Sequence, residues 1–152
     1  MKRIIIGIDP GSASGGMAWF EEDELKTLRF KECTEKELSN WFKEFTFNDP
    51  LVAAIIEKVH TFPGQGISSA GKFMENFGML KGFLMALDIP FQEVSPQKWM
   101  SYYGMKRDKT ENKTEWKKRL RQKAQELYPK TKIVSETADA VLIARYAKEV
   151  LE

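Results

Sequence analysis

The chain has 152 residues, of which 42% are hydrophobic, 12% aromatic and 30% charged. This length and composition predict one globular domain, spanning 1–152, with a substantial core, and leave no room for two full domains. A single cysteine excludes an internal disulfide, no run approaches the roughly 18 apolar residues of a membrane span, and no secretion signal is evident. We therefore expect a soluble protein from a reducing compartment.

The first part of the chain predicts an antiparallel meander, a helix and a further strand. The β-branched run Ile4 to Ile8 is typical of a buried central strand. Thr34 and Glu37 have the spacing of a capping box at a helix start. The strand segments predicted here are 1–9, 17–20, 25–31 and 51–57.

The second part predicts helices with one short strand between them. Ser95 and Pro96 look like an N-cap followed by proline at the first helical position. The predicted elements in chain order are a long helix at 68–87, a strand at 90–94, a short helix through 99–102, a basic helix at 114–128 and a last helix at 136–151. Together these elements predict an α/β fold with a mixed five-stranded sheet, part antiparallel and part parallel, flanked by helices.

Four acidic residues stand where a metal site needs them. Asp9 and Glu57 each end an apolar strand, and Glu136 and Asp139 lie three apart at the start of the last helix. Positions i and i+3 share a helix face, and a carboxylate at a buried strand end is costly to desolvate. Carboxylates are the ligands that Mg²⁺ prefers, and two such ions can promote phosphodiester cleavage. Ordinary helix-start acids and a turn residue are the alternative explanation.

Basic residues are concentrated just before the last two acids. The segment 106–123 contains nine Lys or Arg and three Asp or Glu, a local net charge of +6, in a chain whose net charge is only +2. A basic segment beside an acidic cluster favours a polyanion such as DNA. An ordinary solvated helix face is the alternative.

Three glycines interrupt the long helix at 68–87. Gly71, Gly78 and Gly82 each cost about 1 kcal/mol against alanine in a helix interior. They predict close approach of another backbone or of DNA. A contact between this helix and the chain's own sheet remains open as the other explanation.

In order along the chain, these motifs resemble those of a nuclease family. Gly7-Ile-Asp9-Pro-Gly11 followed by Gly15 or Gly16, then Ile56-Glu57, then Glu136-Thr-Ala-Asp139-Ala, resembles the RuvC-type Holliday junction resolvases of the RNase H-like superfamily. The resemblance covers nearly the whole chain and is nearest in general appearance to small phage-type members. It implies an RNase H-like sheet, a homodimer, and Mg²⁺-dependent nicking of four-way DNA junctions, with Mn²⁺ as a substitute. A cytoplasmic location, in a bacterial or phage-infected bacterial cell, follows from it.

The resemblance also assigns roles to individual residues. It implies that Asp9, Glu57, Glu136 and Asp139 are the metal ligands, with Glu136 longer than the Asp or His common in the family. Lys98 and Lys113 would be catalytic basic residues, although the second assignment can slide between Lys109 and Lys118. The remaining residues that we expect to contact DNA are His60 or Phe62, Lys106, Arg107, Lys109, Lys117, Lys118 and Arg121.

Other functions compete with this prediction. A broader RNase H-like nuclease would cut flaps, forks or RNA–DNA hybrids, and a non-catalytic protein would bind junctions without cutting them. The glycine-rich turn after Asp9 also resembles the phosphate loop of actin-like ATPases, but that architecture needs two such domains.

Overall fold

The computed structural model describes residues 2–151, which form a five-stranded sheet covered by helices on both faces. Among these residues no helix is long and apolar enough to cross a membrane. The strands are β1 (Arg3–Asp9), β2 (Gly16–Glu21), β3 (Glu24–Arg29), β4 (Leu51–Glu57) and β5 (Phe91–Val94). The helices are α1 (Glu35–Phe45), α2 (Ile67–Ala86), α3 (Pro96–Tyr102), α4 (Lys113–Leu127) and α5 (Ser135–Leu151), and a 3-10 turn spans Phe30–Glu32.

The sheet has the order β3-β2-β1-β4-β5 and contains both kinds of strand pairing. The first three strands form the predicted antiparallel meander, while β4 runs parallel to β1 and β5 runs parallel to β4. The predicted α/β fold with a mixed five-stranded sheet is therefore confirmed. The predicted helices are also present, with boundaries that differ by one or two residues.

Helix starts follow the capping signals of the sequence. The Thr34 hydroxyl accepts from the Glu37 amide and the Glu37 carboxylate accepts from the Thr34 amide, both at 3.1 Å. The Ser95 hydroxyl caps α3, with Pro96 at its first position. The Asn112 side chain accepts from the Glu115 amide at 2.8 Å and starts α4, a cap that the predicted start at residue 114 overlooked.

Alternate residues of the strands supply two separate cores. One face of the sheet packs against α1 and α2, and the other packs against α3, α4 and α5. Helix α5 packs directly on β1 and leaves no room for a side chain at Gly7. A Cβ added there would lie 2.2 Å from the Ala144 amide nitrogen. The first turn of α5 lies equally close to β2, since a Cβ at Gly16 would be 2.5 Å from the Glu136 carbonyl oxygen. The glycines thus fix where α5 begins relative to the strand ends.

Candidate active site

Asp9 and Glu57 lie side by side at one edge of the sheet. Strands β1 and β4 are parallel, with Ile8 opposite Ile56, so the next residue of each strand is one of these acids. Both carboxylates are half-buried, at the ends of strands whose other residues are largely covered. The parallel pairing therefore brings the two strand-end acids together, as the sequence predicted.

Asp139 reaches the same edge from α5. The residue is only 4% exposed, and its charge acts on both strand-end carboxylates. Burial, then Asp139 and then Glu57 raise the pKa of Asp9 well above its usual range. Burial and Asp139 likewise raise the pKa of Glu57 to about 7. Three carboxylates from three elements thus form one strongly interacting cluster.

Lys117 of α4 extends into this cluster. Its Nζ donates to Asp139 Oδ2 at 2.8 Å, although half of the lysine side chain remains exposed. Burial acts to lower the pKa of Lys117, but Asp139 and the two strand-end carboxylates outweigh it and the pKa is raised. The structure therefore places Lys117 among the acids. The sequence pattern predicted an exposed, DNA-facing lysine at this position, which also lies within the range 109–118 left open for the second catalytic lysine.

Two further side chains, which the sequence did not assign to the site, hold its parts in place. The Trp99 indole N–H donates to Glu57 Oε2 at 2.7 Å. The buried Asn76 of α2 accepts from the Gly11 amide at 2.7 Å through Oδ1 and fixes the loop after Asp9. Asn76 had a visible signal, because it is a polar residue on the apolar stripe of α2.

Glu136 is oriented differently from the other three acids. Its Oε1 is 3.0 Å from the Lys31 Nζ, and the ion pair lies at the surface. The hydrogen bond from Lys31 lowers the pKa of Glu136. The raised pKa values of Asp9 and Glu57 come from burial and from other carboxylates, not from Glu136. The structure therefore brings together three of the four predicted ligands and pairs the fourth with a lysine.

The carboxylates do not converge on one point as they stand. Within residues 2–151, no three Asp, Glu, His or Cys side chains are close enough together to hold a metal ion. The chemistry of the cluster nevertheless fits a divalent cation, since it offers hard oxygen donors whose mutual repulsion a cation would relieve. The Lys117 ammonium already sits there as a positive charge. Asp9, Glu57 and Asp139 are the residues that could hold the ion.

The other predicted contact residues are exposed side chains. Lys98 is exposed on α3, and His60 and Phe62 are exposed on the loop before α2. Lys113, Lys117, Lys118 and Arg121 line one hollow on α4 together with Ser135. Lys106, Arg107 and Lys109 belong to a second, open hollow in the loop before α4.

Comparison with known proteins identifies relatives by fold. No protein-family model matches the sequence, and no curated protein matches it. Thermus thermophilus RuvC in complex with Holliday junction substrate is similar, with a TM-score of 0.59 and 16% identity over 93% of this chain and 90% of that chain. A second Thermus thermophilus RuvC structure has a TM-score of 0.56 and 16% identity, with the same coverage. The yeast mitochondrial Holliday junction resolvase has a TM-score of 0.40 and 15% identity, over 92% of this chain and 76% of that chain. At these identities the likeness establishes a RuvC-like fold.

Proposed function

We propose that the protein is a metal-dependent, structure-selective endonuclease that nicks four-way and related branched DNA by two-metal phosphodiester hydrolysis. The observation that carries the proposal is the cluster of Asp9, Glu57 and Asp139. These carboxylates come from three elements, their burial and repulsion raise the pKa of Asp9 and of Glu57, and the Lys117 ammonium bonds Asp139. A RuvC-like fold with such a cluster at the ends of β1 and β4 supports phosphodiester cleavage over a purely structural role.

The three carboxylates would hold Mg²⁺, with Mn²⁺ as a substitute. When bound, the ion would supply a water activated for attack and charge stabilisation at the leaving oxygen. Lys117, whose ammonium bonds Asp139, and Lys98, which precedes Trp99 on α3, can neutralise a DNA phosphate. Glu136 remains a proposed ligand only if its carboxylate leaves Lys31 and turns toward the cluster.

Basic side chains give DNA a track that leads to the cluster. The hollow on α4 is lined by Lys113, Lys117, Lys118 and Arg121. One of these residues, Lys117, also bonds Asp139 of the cluster. Phosphate contacts of this kind position a duplex without reading its sequence. His60 and Phe62 are both exposed, and we propose that one of them stacks on a base at the junction.

We propose a homodimer formed through the outward face of α2. A Cβ added at Gly71, Gly78 or Gly82 would meet nothing within 4 Å, which excludes a contact of these glycines with the chain's own sheet. Ile67 and Met74, on the same face, are 93% and 40% exposed. An exposed face of small and apolar residues can let a second helix approach closely. Sedimentation of a Gly78→Lys variant tests the proposal, since a lysine there should yield monomers that remain folded.

The function itself is tested with labelled junction, fork, flap and RNA–DNA hybrid, each in Mg²⁺ and in EDTA. We expect the wild type to nick the junction only with Mg²⁺, and Asp9→Asn to bind the junction without nicking it. Undiminished nicking by Asp9→Asn would overturn the mechanism. Equal cleavage of the other substrates would favour the broader nuclease, and binding without cleavage in Mg²⁺ or Mn²⁺ would favour the non-catalytic protein. Membership of the small phage-type branch and a location in bacterial cytoplasm stay predictions.

A further inference from the structure

Helix α3 contacts two of the elements that carry the carboxylate cluster. Its Trp99 donates an indole N–H to Glu57 Oε2, at the end of β4. The hydroxyl of Tyr103, the residue that follows the helix, donates to the Leu142 carbonyl of α5. Leu142 lies three residues after Asp139, which is one helical turn. The α3 segment thus links the element that carries Glu57 to the element that carries Asp139.

The position of Trp99 relative to Glu57 is set by short, rigid connections. Strand β5 pairs with β4 so that Val94 lies opposite Glu57, and the Lys58 amide donates to the Val94 carbonyl at 2.8 Å. Helix α3 begins two residues after Val94, at its Ser95 cap and Pro96. Few rotatable bonds therefore separate the indole from the strand pair that carries its acceptor.

The side chain of Trp99 is itself immobilised. It is 0% exposed, and its ring meets the Tyr103 ring edge-on, with centroids 6.5 Å apart and an interplanar angle of 80°. Indole is a donor only and has two side-chain torsions, so its N–H has one direction once the ring is packed. The hydrogen bond therefore keeps Glu57 Oε2 on the Trp99 indole and leaves Glu57 Oε1 for another partner.

We propose that Trp99 is a positioning residue that holds Glu57 Oε2, so that Glu57 presents only Oε1 to a cation shared with Asp9 and Asp139. Tyr103 keeps α3 at a constant distance from α5 and hence from Asp139. This inference rests on the proposed metal-dependent function. Outer-sphere hydrogen bonds of this kind orient ligands and commonly change metal affinity by about 10–100-fold when they are removed.

A purely structural role for the bond predicts different behaviour. A buried indole needs an acceptor in any case, and in that role its loss would lower stability without changing the affinity for metal. The matched control is Trp41→Phe, because Trp41 packs against Trp19 on the opposite face of the sheet. Both substitutions remove an indole nitrogen and keep an aromatic ring.

The experiment measures Mn²⁺ affinity by electron paramagnetic resonance of the free ion, without DNA and without cleavage. We expect Trp99→Phe to bind Mn²⁺ about 10-fold more weakly than wild type, and Trp41→Phe to bind within about twofold of wild type. Tyr103→Phe should give a smaller loss in the same direction. Wild-type affinity in a folded Trp99→Phe would overturn the positioning role and leave the proposed function intact. Absence of Mn²⁺ binding by the wild type would overturn both.

A second readout does not depend on a Trp99 variant that must fold. In ¹⁵N-labelled wild type, the Trp99 indole N–H should remain shifted downfield and slow to exchange when Mg²⁺ saturates the protein. The resonance is assigned by elimination with Trp→Phe variants at positions 19, 41 and 116. Loss of the downfield shift on Mg²⁺ binding would mean that Glu57 Oε2 leaves the indole for the ion, which contradicts the proposal.

Discussion

Replacing Glu57 with Gln should stabilise the protein in the absence of metal, although it removes a proposed ligand. Burial and Asp139 raise the pKa of Glu57 to about 7, whereas an unfolded Glu has a pKa of about 4.3. A raised folded-state pKa means that the folded state binds the proton more tightly than the unfolded state does. Stability of the wild type therefore falls as the pH rises from about 4.3 to about 7. Gln carries no charge, and its carbonyl oxygen can still accept the Trp99 N–H.

The size of the effect follows from the pKa difference. About 2.7 pKa units at about 1.4 kcal/mol each give an upper limit of about 3.7 kcal/mol. The carboxylate is only half-buried and its surroundings can relax, so we expect about 1–2 kcal/mol at pH 8. In a domain of this size that gain corresponds to a rise in Tm of about 3–6 °C.

Thermal unfolding in EDTA, followed by circular dichroism between pH 4.5 and 8.5, measures the difference. The advantage of Glu57→Gln should grow with pH up to about 7 and then level off. The matched control is Glu126→Gln, which changes an exposed carboxylate on α4 and should show no such pH dependence. Mg²⁺ should raise the Tm of the wild type more than that of Glu57→Gln. If Glu57→Gln were less stable than wild type at pH 8, or its advantage did not depend on pH, the desolvation argument would be refuted.

Three further substitutions, the first with a matched control, test other parts of the structure. Lys117→Met leaves the buried Asp139 carboxylate without its cation. It should lower the free energy of unfolding by about 1–2 kcal/mol in thermal melts with EDTA. The control Lys118→Met should lower it by less than about 0.5 kcal/mol. Lys98→Ala should slow nicking in single-turnover assays more than it weakens junction binding in gel shifts; equal losses would indicate simple anchoring. Gly7→Ala would force a Cβ against the α5 backbone and should cost about 3 kcal/mol or more in urea unfolding.

The strand-end acids could be predicted because their positions follow from local pattern and strand pairing. An apolar run ending in Asp9 and another ending in Glu57 predict two buried strands, and parallel pairing brings such ends to one edge of the sheet. Asp139 followed from its place near the start of the last helix, three residues after Glu136. The glycines after β1 carried a similar signal, since Gly15 and Gly16 leave no space for a Cβ beside neighbouring backbone.

The partners of these acids could not be predicted, because they depend on how helices pack. The sequence pattern of α4 predicts that Lys117 is exposed. Only the packing of α4 against α5 brings its ammonium to Asp139, 22 positions away in the chain. The sequence indicated that Trp99 is aromatic core, but not that Glu57 is its acceptor. Glu136 shares a helix face with Asp139, yet Lys31, 105 positions away, determines where its carboxylate points.

The charge balance of the cluster bears on how many ions it can hold. Asp9, Glu57 and Asp139, when ionised, carry three negative charges, and Lys117 supplies one positive charge. One divalent cation would neutralise the two negative charges that remain. It would also offset the repulsion that raises the pKa values of Asp9 and Glu57. A second divalent ion would leave excess positive charge unless a DNA phosphate or the Glu136 carboxylate joined it. We therefore expect the three carboxylates to hold one divalent ion in the absence of DNA, and a second ion to bind only together with a DNA phosphate or with Glu136 released from Lys31.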